Sequence, residues 1–222
     1  RDLPDFNQLA SYQPPMVTRI HAGDGRLLAE FSKEKRVFVP IESIPRLVVQ
    51  AFLSAEDKKF YEHPGIDFLG IGRAVLVNLK RLGTGQRLVG ASTITQQVAK
   101  NFLLTNEVSI DRKIKEAILA FRIDRTLSKN RILELYLNQI YLGFGSYGVA
   151  AAALNYFDRP LDKLSLSEIA FIAGLPKAPN NYHPLKNPKA AKIRRNYVIG
   201  RMIQDGHITK TLGEKLKNSP IV

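Results

Sequence analysis

From Ile44 onward, apolar residues recur at the three-and-four spacing of a single helix face, segment after segment, with glycine or proline between the segments. Between Ile44 and Glu62, the residues Leu47, Val48, Ala51, Phe52 and Ala55 fall at i, i+1, i+4, i+5 and i+8, and Glu56 sits at the edge of that face. A second apolar helix is predicted over Ile66 to Leu82, carrying Ile71, Ala74, Val75 and Leu79, before a glycine-rich loop with Gly83, Gly85 and Gly90. A third begins near Thr93, where Thr93 and Gln96 have the spacing of a capping box. Ile110, Ile114, Ala117, Ile118 and Phe121 mark a fourth; Ile132, Leu133, Tyr136 and Ile140 mark a fifth, after which Gly143, Gly145 and Gly148 break the chain. Later helices are expected from Ser165, boxed with Glu168, and from Asn187 followed by Pro188, with Gly206 as a stop.

Nothing ahead of Pro40 has that period. Residues 1–15 are polar, with Pro4, Pro14 and Pro15, and read as an extended lead-in. Between Val17 and Phe31 short alternating runs flank Ala22-Gly23-Asp24-Gly25, a turn signal that predicts a β-hairpin. The residues therefore predict a mainly α domain behind one short N-terminal β-hairpin. With 45% hydrophobic and 24% charged residues over 222 positions, the chain has the material for a sizeable core, which argues against disorder.

Lysine and arginine total 33 against 20 acidic residues, so the net charge is 33 − 20 = +13, and partners carrying phosphate or an anionic surface are favoured. The absence of cysteine excludes disulfides and thiolate metal sites and leaves the redox compartment open. No run of about 18 apolar residues is present, and no charged-then-apolar signal segment follows Arg1. The chain is expected to be a piece of a longer, anchored protein.

Three clusters carry possible chemistry. In Glu56-Asp57-Lys58-Lys59-Phe60-Tyr61-Glu62-His63-Pro64-Gly65 an apolar helix delivers acidic residues and is expected to stop at Pro64-Gly65. A carboxylate at the rim of an apolar face is partly desolvated, which suits it to general-base work; the plainer reading is a solvated helix end. His63 by itself reads more simply as a packing or capping residue than as a ligand. In Gly90-Ala91-Ser92-Thr93-Ile94-Thr95-Gln96-Gln97, hydroxyls and amides gather at a helix N-terminus, which is either an anion site or an ordinary cap. No Gly-Lys-Ser/Thr follows, so this is not a P-loop, and a nucleotide triphosphatase is disfavoured. In Arg112-Lys113-Ile114-Lys115-Glu116, Glu116 is i+4 from Arg112 and i+3 from Lys113. Exposed, such pairs contribute about 0.3 to 0.5 kcal/mol. In a cleft, two cations for phosphate oxygens could each contribute about 1.5 to 3 kcal/mol.

Taken in order, these clusters resemble the motifs of the peptidoglycan glycosyltransferase (transglycosylase) domain of class A, bifunctional penicillin-binding proteins. The motifs are Glu56-Asp57-x-x-Phe60-x-x-His63-x-Gly65, Gly90-x-Ser92-Thr93-Ile94-Thr95-Gln96-Gln97 and Arg112-Lys113-x-x-Glu116. Ile132-Leu133-Glu134-x-Tyr136-Leu137-Asn138 follows, then Gly145-Ser146-Tyr147-Gly148 with Ala151 and Ala152, and Ala173-Gly174-Leu175-Pro176-Lys177-Ala178-Pro179 is also similar. The resemblance runs from about Ile41 to Ile208, and Asp24-Gly25 and Lys35-Arg36 are similar to the segment that follows the membrane anchor in that family. Two departures stand out: Lys59 replaces a frequent arginine, and Asp158 stands where a glycine often follows Tyr-Phe.

The resemblance implies a lysozyme-like glycosyltransferase fold with large and small lobes and a long cleft between them. Residues 41–222 would form the catalytic domain behind an N-terminal segment and hairpin at 1–40. Ile66 to Gly90 would supply much of a small apolar lobe lying against the membrane surface, on the periplasmic or extracytoplasmic face of the inner membrane. The implied reaction polymerises lipid II onto a growing glycan chain: the acceptor 4-hydroxyl attacks the donor anomeric carbon, and undecaprenyl pyrophosphate leaves with inversion. Catalysis is implied for Glu56, as general base, and for Glu116, which orients cations or donor. Substrate binding is implied for Asp57, His63, Ser92, Thr93, Gln96, Gln97, Lys100, Arg112 and Lys113, with Arg112 and Lys113 on the pyrophosphate. Glu134 and Asn138 read as structural.

No cofactor is required by this reading; a pyrophosphate site leaves room for Mg or Mn, but no ligand constellation demands one. A transpeptidase domain is the expected partner in the longer protein, and nucleic acid is not. A muramidase also uses two carboxylates, but cleaving a sugar–sugar bond needs an acid for a poor leaving group, whereas pyrophosphate needs cations, so Arg112 and Lys113 favour transfer. A basic non-catalytic module would fit the charge and leave the motif order unexplained.

Overall fold

The computed structural model describes residues 3–12, 18–21, 27–31, 37–83, 90–105, 107 and 109–221. Among the described residues the protein is mainly helical: α1 (Arg46–Glu56), α2 (Phe68–Arg81), α3 (Ile94–Leu103), α4 (Ile110–Thr126), α5 (Lys129–Gln139), α6 (Val149–Phe157), α7 (Leu166–Gly174), α8 (Pro188–Gln204) and α9 (Lys210–Asn218). Two short strands, β1 (Thr18–His21) and β2 (Leu27–Phe31), pair antiparallel with Thr18 opposite Phe31. The expected turn at Ala22-Gly23-Asp24-Gly25 lies outside the described residues, as do Pro14, Pro15, Val17, Lys35, Arg36 and Gly85. No described helix is long and apolar enough to cross a membrane.

The caps read from sequence are present. Thr93 Oγ1 accepts from the Gln96 backbone N–H at 3.1 Å while Gln96 Oε1 accepts from the Thr93 N–H at 2.9 Å, which satisfies two donors at the start of α3. Ser165 and Glu168 do the same for α7. Asn187 caps α8 with Pro188 in its first turn, and Gly206, at φ +74°, follows the end of that helix. Asp158 ends α6 in the left-handed conformation, φ 51° and ψ 39°, which is why a glycine would suit that position.

One boundary differs from expectation. α1 ends at Glu56, not at Pro64-Gly65: Asp57 leaves the helical region at φ −157° and ψ 74°, and the following residues run as turns. Continuing the helix would carry Lys58 and Lys59, seven and eight residues beyond the fully buried Ala51, toward the buried face, and an unpaired buried charge is costly. The turn instead leaves Lys58 exposed and buries Phe60.

The chain divides into two compact units, one of Arg1–Ala10 with Lys59–Leu133, the other of Ser11–Lys58 with Glu134–Val222. In the first, α3 packs on α4, and the core includes Phe60, Ile94, Val98, Leu119, Ala120 and Ile123. Gly65 makes part of this packing possible: at φ +81° a Cβ would lie 2.5 Å from the Ala120 carbonyl oxygen, and the Gly65 carbonyl accepts a 2.6 Å hydrogen bond from Thr93 Oγ1. α2 is different, for of its residues only Ala74 is buried.

In the second unit α1, α7 and α8 pack on one another, and α9 packs on α8. Every residue of α7 from Ser167 to Gly174 is buried, against Phe52 and Ala51 of α1 and Val198, Ile199 and Met202 of α8 among the core residues. Each fully buried large apolar side chain of this kind stabilises by about 1.5 to 3 kcal/mol. Arg195 is also fully buried, with no carboxylate among its hydrogen-bond partners in the described residues: it donates to Ser167 Oγ, Asn196 Oδ1 and the carbonyls of Lys217, Ser219 and Pro220. Burial pulls its pKa below the usual arginine value. These bonds satisfy carbonyls at the C-terminal end of α9, where a cation also complements the helix dipole. Glu134 and Asn138 tie α5 to the segment ahead of α1: Glu134 accepts from the Ile41 N–H, and Asn138 exchanges two hydrogen bonds with the backbone of Val39.

Candidate active site

In the second unit, the helix end that carries Glu56 is gripped by one face of α8. Arg194, Arg201 and Asp205 lie at i, i+7 and i+11, so they line up along α8 and its cap. Arg194 Nη2 donates to Glu56 Oε1 at 3.3 Å, Arg201 Nε donates to the Ser54 carbonyl at 3.3 Å, and Lys58 Nζ meets Asp205 Oδ1 at 2.7 Å. The Glu56 and Arg194 side chains are each 13% exposed, so the pair is largely desolvated and still reachable. A guanidinium so placed stabilises the ionised carboxylate, which is the form a general base needs. Burial pushes the hydroxyl of Tyr136 well above the usual tyrosine pKa, reinforced by the charges of Glu56 and Asp57 and opposed by Arg194. Asp205 is pushed up by burial, but hydrogen bonds from Lys58 and Ser54 with the charges of Lys58 and Arg201 outweigh this and hold it below the usual carboxylate range.

In the first unit, α4 carries the other glutamate. Ser109 caps the helix by accepting from the Arg112 N–H, and the register then sets Arg112, Lys113 and Glu116 on one face. Glu116 is 2% exposed. Lys113 Nζ donates both to Glu116 Oε1 and, at 2.9 Å, to Ser92 Oγ, while Arg112 Nη1 stands 3.8 Å from Glu116 Oε2. The plain reading of this cluster as an exposed helix pair therefore fails for the carboxylate, which is buried beneath its cations. Two cations share one carboxylate, so the face keeps a net positive charge. Lys113 has a third N–H beyond these two bonds, and the buried Nε of Arg112 has no hydrogen-bond partner among the described residues. The arrangement has spare donors for an anion.

Residues 24–203 match the family described as Transglycosylase. The chain belongs to the transglycosylase family. Relatives agree: penicillin-binding protein 1A of Rickettsia felis is 57% identical over 222 residues, all of this chain and 28% of that protein. The same-named protein of Aquifex aeolicus is 47% identical over 221 residues, 100% of this chain and 30% of that protein. The crystal structure of penicillin-binding protein 1A from Haemophilus influenzae superposes with a TM-score of 0.52 at 29% identity, covering 95% of this chain and 21% of that one. This chain thus spans under a third of the length of these relatives. As a transglycosylase domain it is a peptidoglycan glycosyltransferase, an enzyme of cell-wall synthesis.

The other expected transglycosylase site residues fall into groups. In the first unit, Thr93 and Gln96 are buried, their capping atoms engaged at the start of α3, so their visible role is to build the turn that presents Ser92. Gln97 and Lys100 lie half-buried on α3. His63 is buried beside Phe60, and its carbonyl accepts from Lys129 Nζ at 2.7 Å. In the second unit, Asp57 is buried at the end of α1. Sequence reasoning missed Arg194. The available signal was Arg194-Arg195 falling within the Ala191, Val198, Met202 stripe of α8, a place where a cation must find a partner. Among the described residues no group of three or more acidic or histidine side chains could hold a metal ion.

Proposed function

We propose that this domain polymerises lipid II, with Glu56 as the general base and the Arg112–Lys113–Glu116 face of α4 holding the pyrophosphate of the donor. The acceptor 4-hydroxyl gives its proton to the Glu56 carboxylate as its oxygen bonds to the donor anomeric carbon. The bond from that carbon to the pyrophosphate oxygen breaks with inversion, and the departing charge is met by Arg112 and Lys113. Glu116 orients those cations, and Thr93 and Gln96 act by holding the α3 start that carries Ser92. The observation that carries this reading is Lys113 bridging buried Glu116 and Ser92 with donors to spare. Pre-aimed cations need no reorganisation as charge develops, and removing one such group typically costs about 10² to 10³ in rate.

The same reading makes residues 41–222 the catalytic domain, with a large and a small lobe, 1–40 its lead-in, and a transpeptidase domain its partner in the longer protein. α2 supports contact with the extracytoplasmic membrane surface: Phe68, Leu69, Val75, Leu76 and Leu79 fall on one helix face and each is more than half exposed, with Arg73, Lys80 and Arg81 available to anionic headgroups.

The deciding assay is polymerisation of purified lipid II in detergent by the parent and by Glu56→Gln, at matched thermal stability. Long glycan from the parent and none from the folded variant is the expected result. Cleavage of preformed strands would move the enzyme to the lytic class, and an active Glu56→Gln would remove Glu56 from the mechanism. In parallel, Leu69→Glu with Leu76→Glu should lose sedimentation with anionic phospholipid vesicles while still polymerising in detergent. Unchanged sedimentation would take α2 out of membrane contact.

A further inference from the structure

We propose that Arg194 is the positioning residue for Glu56, holding the carboxylate ionised and aimed from a neighbouring helix. The proposal rests on Glu56 being the base.

The guanidinium is fixed from several sides. Nε donates to the Gly174 carbonyl at 2.9 Å, Nη2 donates to Glu56, and the group lies over the Tyr197 ring, 4.6 Å from its centroid. Even its stem is accommodated: a Cβ at Gly174 would stand 3.0 Å from Arg194 Cγ, so the last residue of α7 is small where the arginine passes. A planar group held by a carbonyl and a ring has few orientations left, and a carboxylate bonded to it inherits that order. The need for an external hold comes from α1 itself. Glu56 is its last residue, and Asp57 has already left the helix, so local backbone structure alone fixes the carboxylate weakly.

Among the described residues, charged and titratable groups face this end of α1 from three neighbouring helices. α8 supplies Arg194, Arg201 and Asp205, the latter two engaged with Ser54 and Lys58. α5 supplies Tyr136, and Asp57 adjoins. On α7 the one ionisable side chain, Glu168, is engaged by Arg159 and by the Ser165 N–H. Among these groups Arg194 is a cation bonded directly to Glu56.

The test is steady-state lipid II polymerisation across pH by the parent, Arg194→Met, Arg194→Lys, Gly174→Ala and Glu56→Gln, with thermal unfolding of each. Arg194→Met should lower kcat about 10- to 100-fold and leave KM within about threefold, because a misplaced base costs the reacting state and not substrate binding. Its acid limb of kcat should move to higher pH, since loss of the cation disfavours the carboxylate. Arg194→Lys should recover part of both. Gly174→Ala, which keeps both charges and crowds the stem, should lower kcat by a smaller factor at unchanged KM. If Arg194→Met does not fold, parental kcat and acid limb in both Arg194→Lys and Gly174→Ala overturn the proposal. A folded Arg194→Met with parental kcat and acid limb, beside an inactive Glu56→Gln, overturns it while the base reading stands. A rise in KM at parental kcat assigns the arginine to substrate instead. An active Glu56→Gln overturns both.

Discussion

Glu56 and Glu116 are held in opposite ways. Glu116 takes its cations from its own helix, one turn back, and any chain that forms α4 brings the three groups together. Glu56 takes its cation from a residue 138 positions away, and only a chain whose α1, α7 and α8 are already packed can form that pair. The local cluster sets two cations on one carboxylate and keeps a net positive charge, which the proposed reaction would turn on the leaving group. In the long-range pair the Arg194 guanidinium favours the ionised form of the carboxylate, the form the proposed base role requires. A carboxylate inside a helix can be held locally, because its geometry is set by helix register. One at the last residue of a helix takes its hold from tertiary packing.

Variants can break or sharpen this contrast. The largest expected effect is that of Glu116→Gln, which should lower kcat/KM for lipid II by about 10² to 10³ by releasing Arg112 and Lys113 from their aim. Parental kcat/KM in a folded variant would take Glu116 out of the mechanism. Next is Arg195→Met, beside Arg194 in sequence but bonded to the α9 end, which should cost about 2 to 3 kcal/mol of stability in denaturant unfolding because the buried Ser167 hydroxyl and the part-buried carbonyls of Lys217, Ser219 and Pro220 lose their donor. Activity per folded molecule should stay near parental, and a loss matching Arg194→Met would erase the distinction between the two arginines. The smallest effect belongs to an isolated peptide of residues 109–126. Glu116→Gln should weaken its helicity, by circular dichroism, by about 0.3 to 0.5 kcal/mol in low salt, with the difference fading in high salt. Equal helicity in low salt would show that the local cluster also depends on tertiary packing.

Much of the fold was legible because its signals are local. The Thr93/Gln96 and Ser165/Glu168 boxes, the Asn187-Pro188 start and the Gly206 stop each depend on residues within one turn, and each is present. The end of α1 was read too late, since what stops it is the cost of turning Lys58 and Lys59 inward, which a stripe of apolar residues does not reveal. Thr93 and Gln96 looked equally fit for a cap and for a substrate, and only their burial showed where their polar atoms are engaged.

By itself, then, the sequence determined the helices, their caps, the family and the Arg112–Lys113–Glu116 face, because all of these follow from spacing along one chain at helical period. Tertiary structure alone decided that Glu116 is buried, that α2 shows its apolar side chains outward, and that Arg194 reaches Glu56. Those three depend on which surfaces meet. Burial and long-range pairing arise only when separate helices exclude water from one another, and no local spacing encodes the choice of partner.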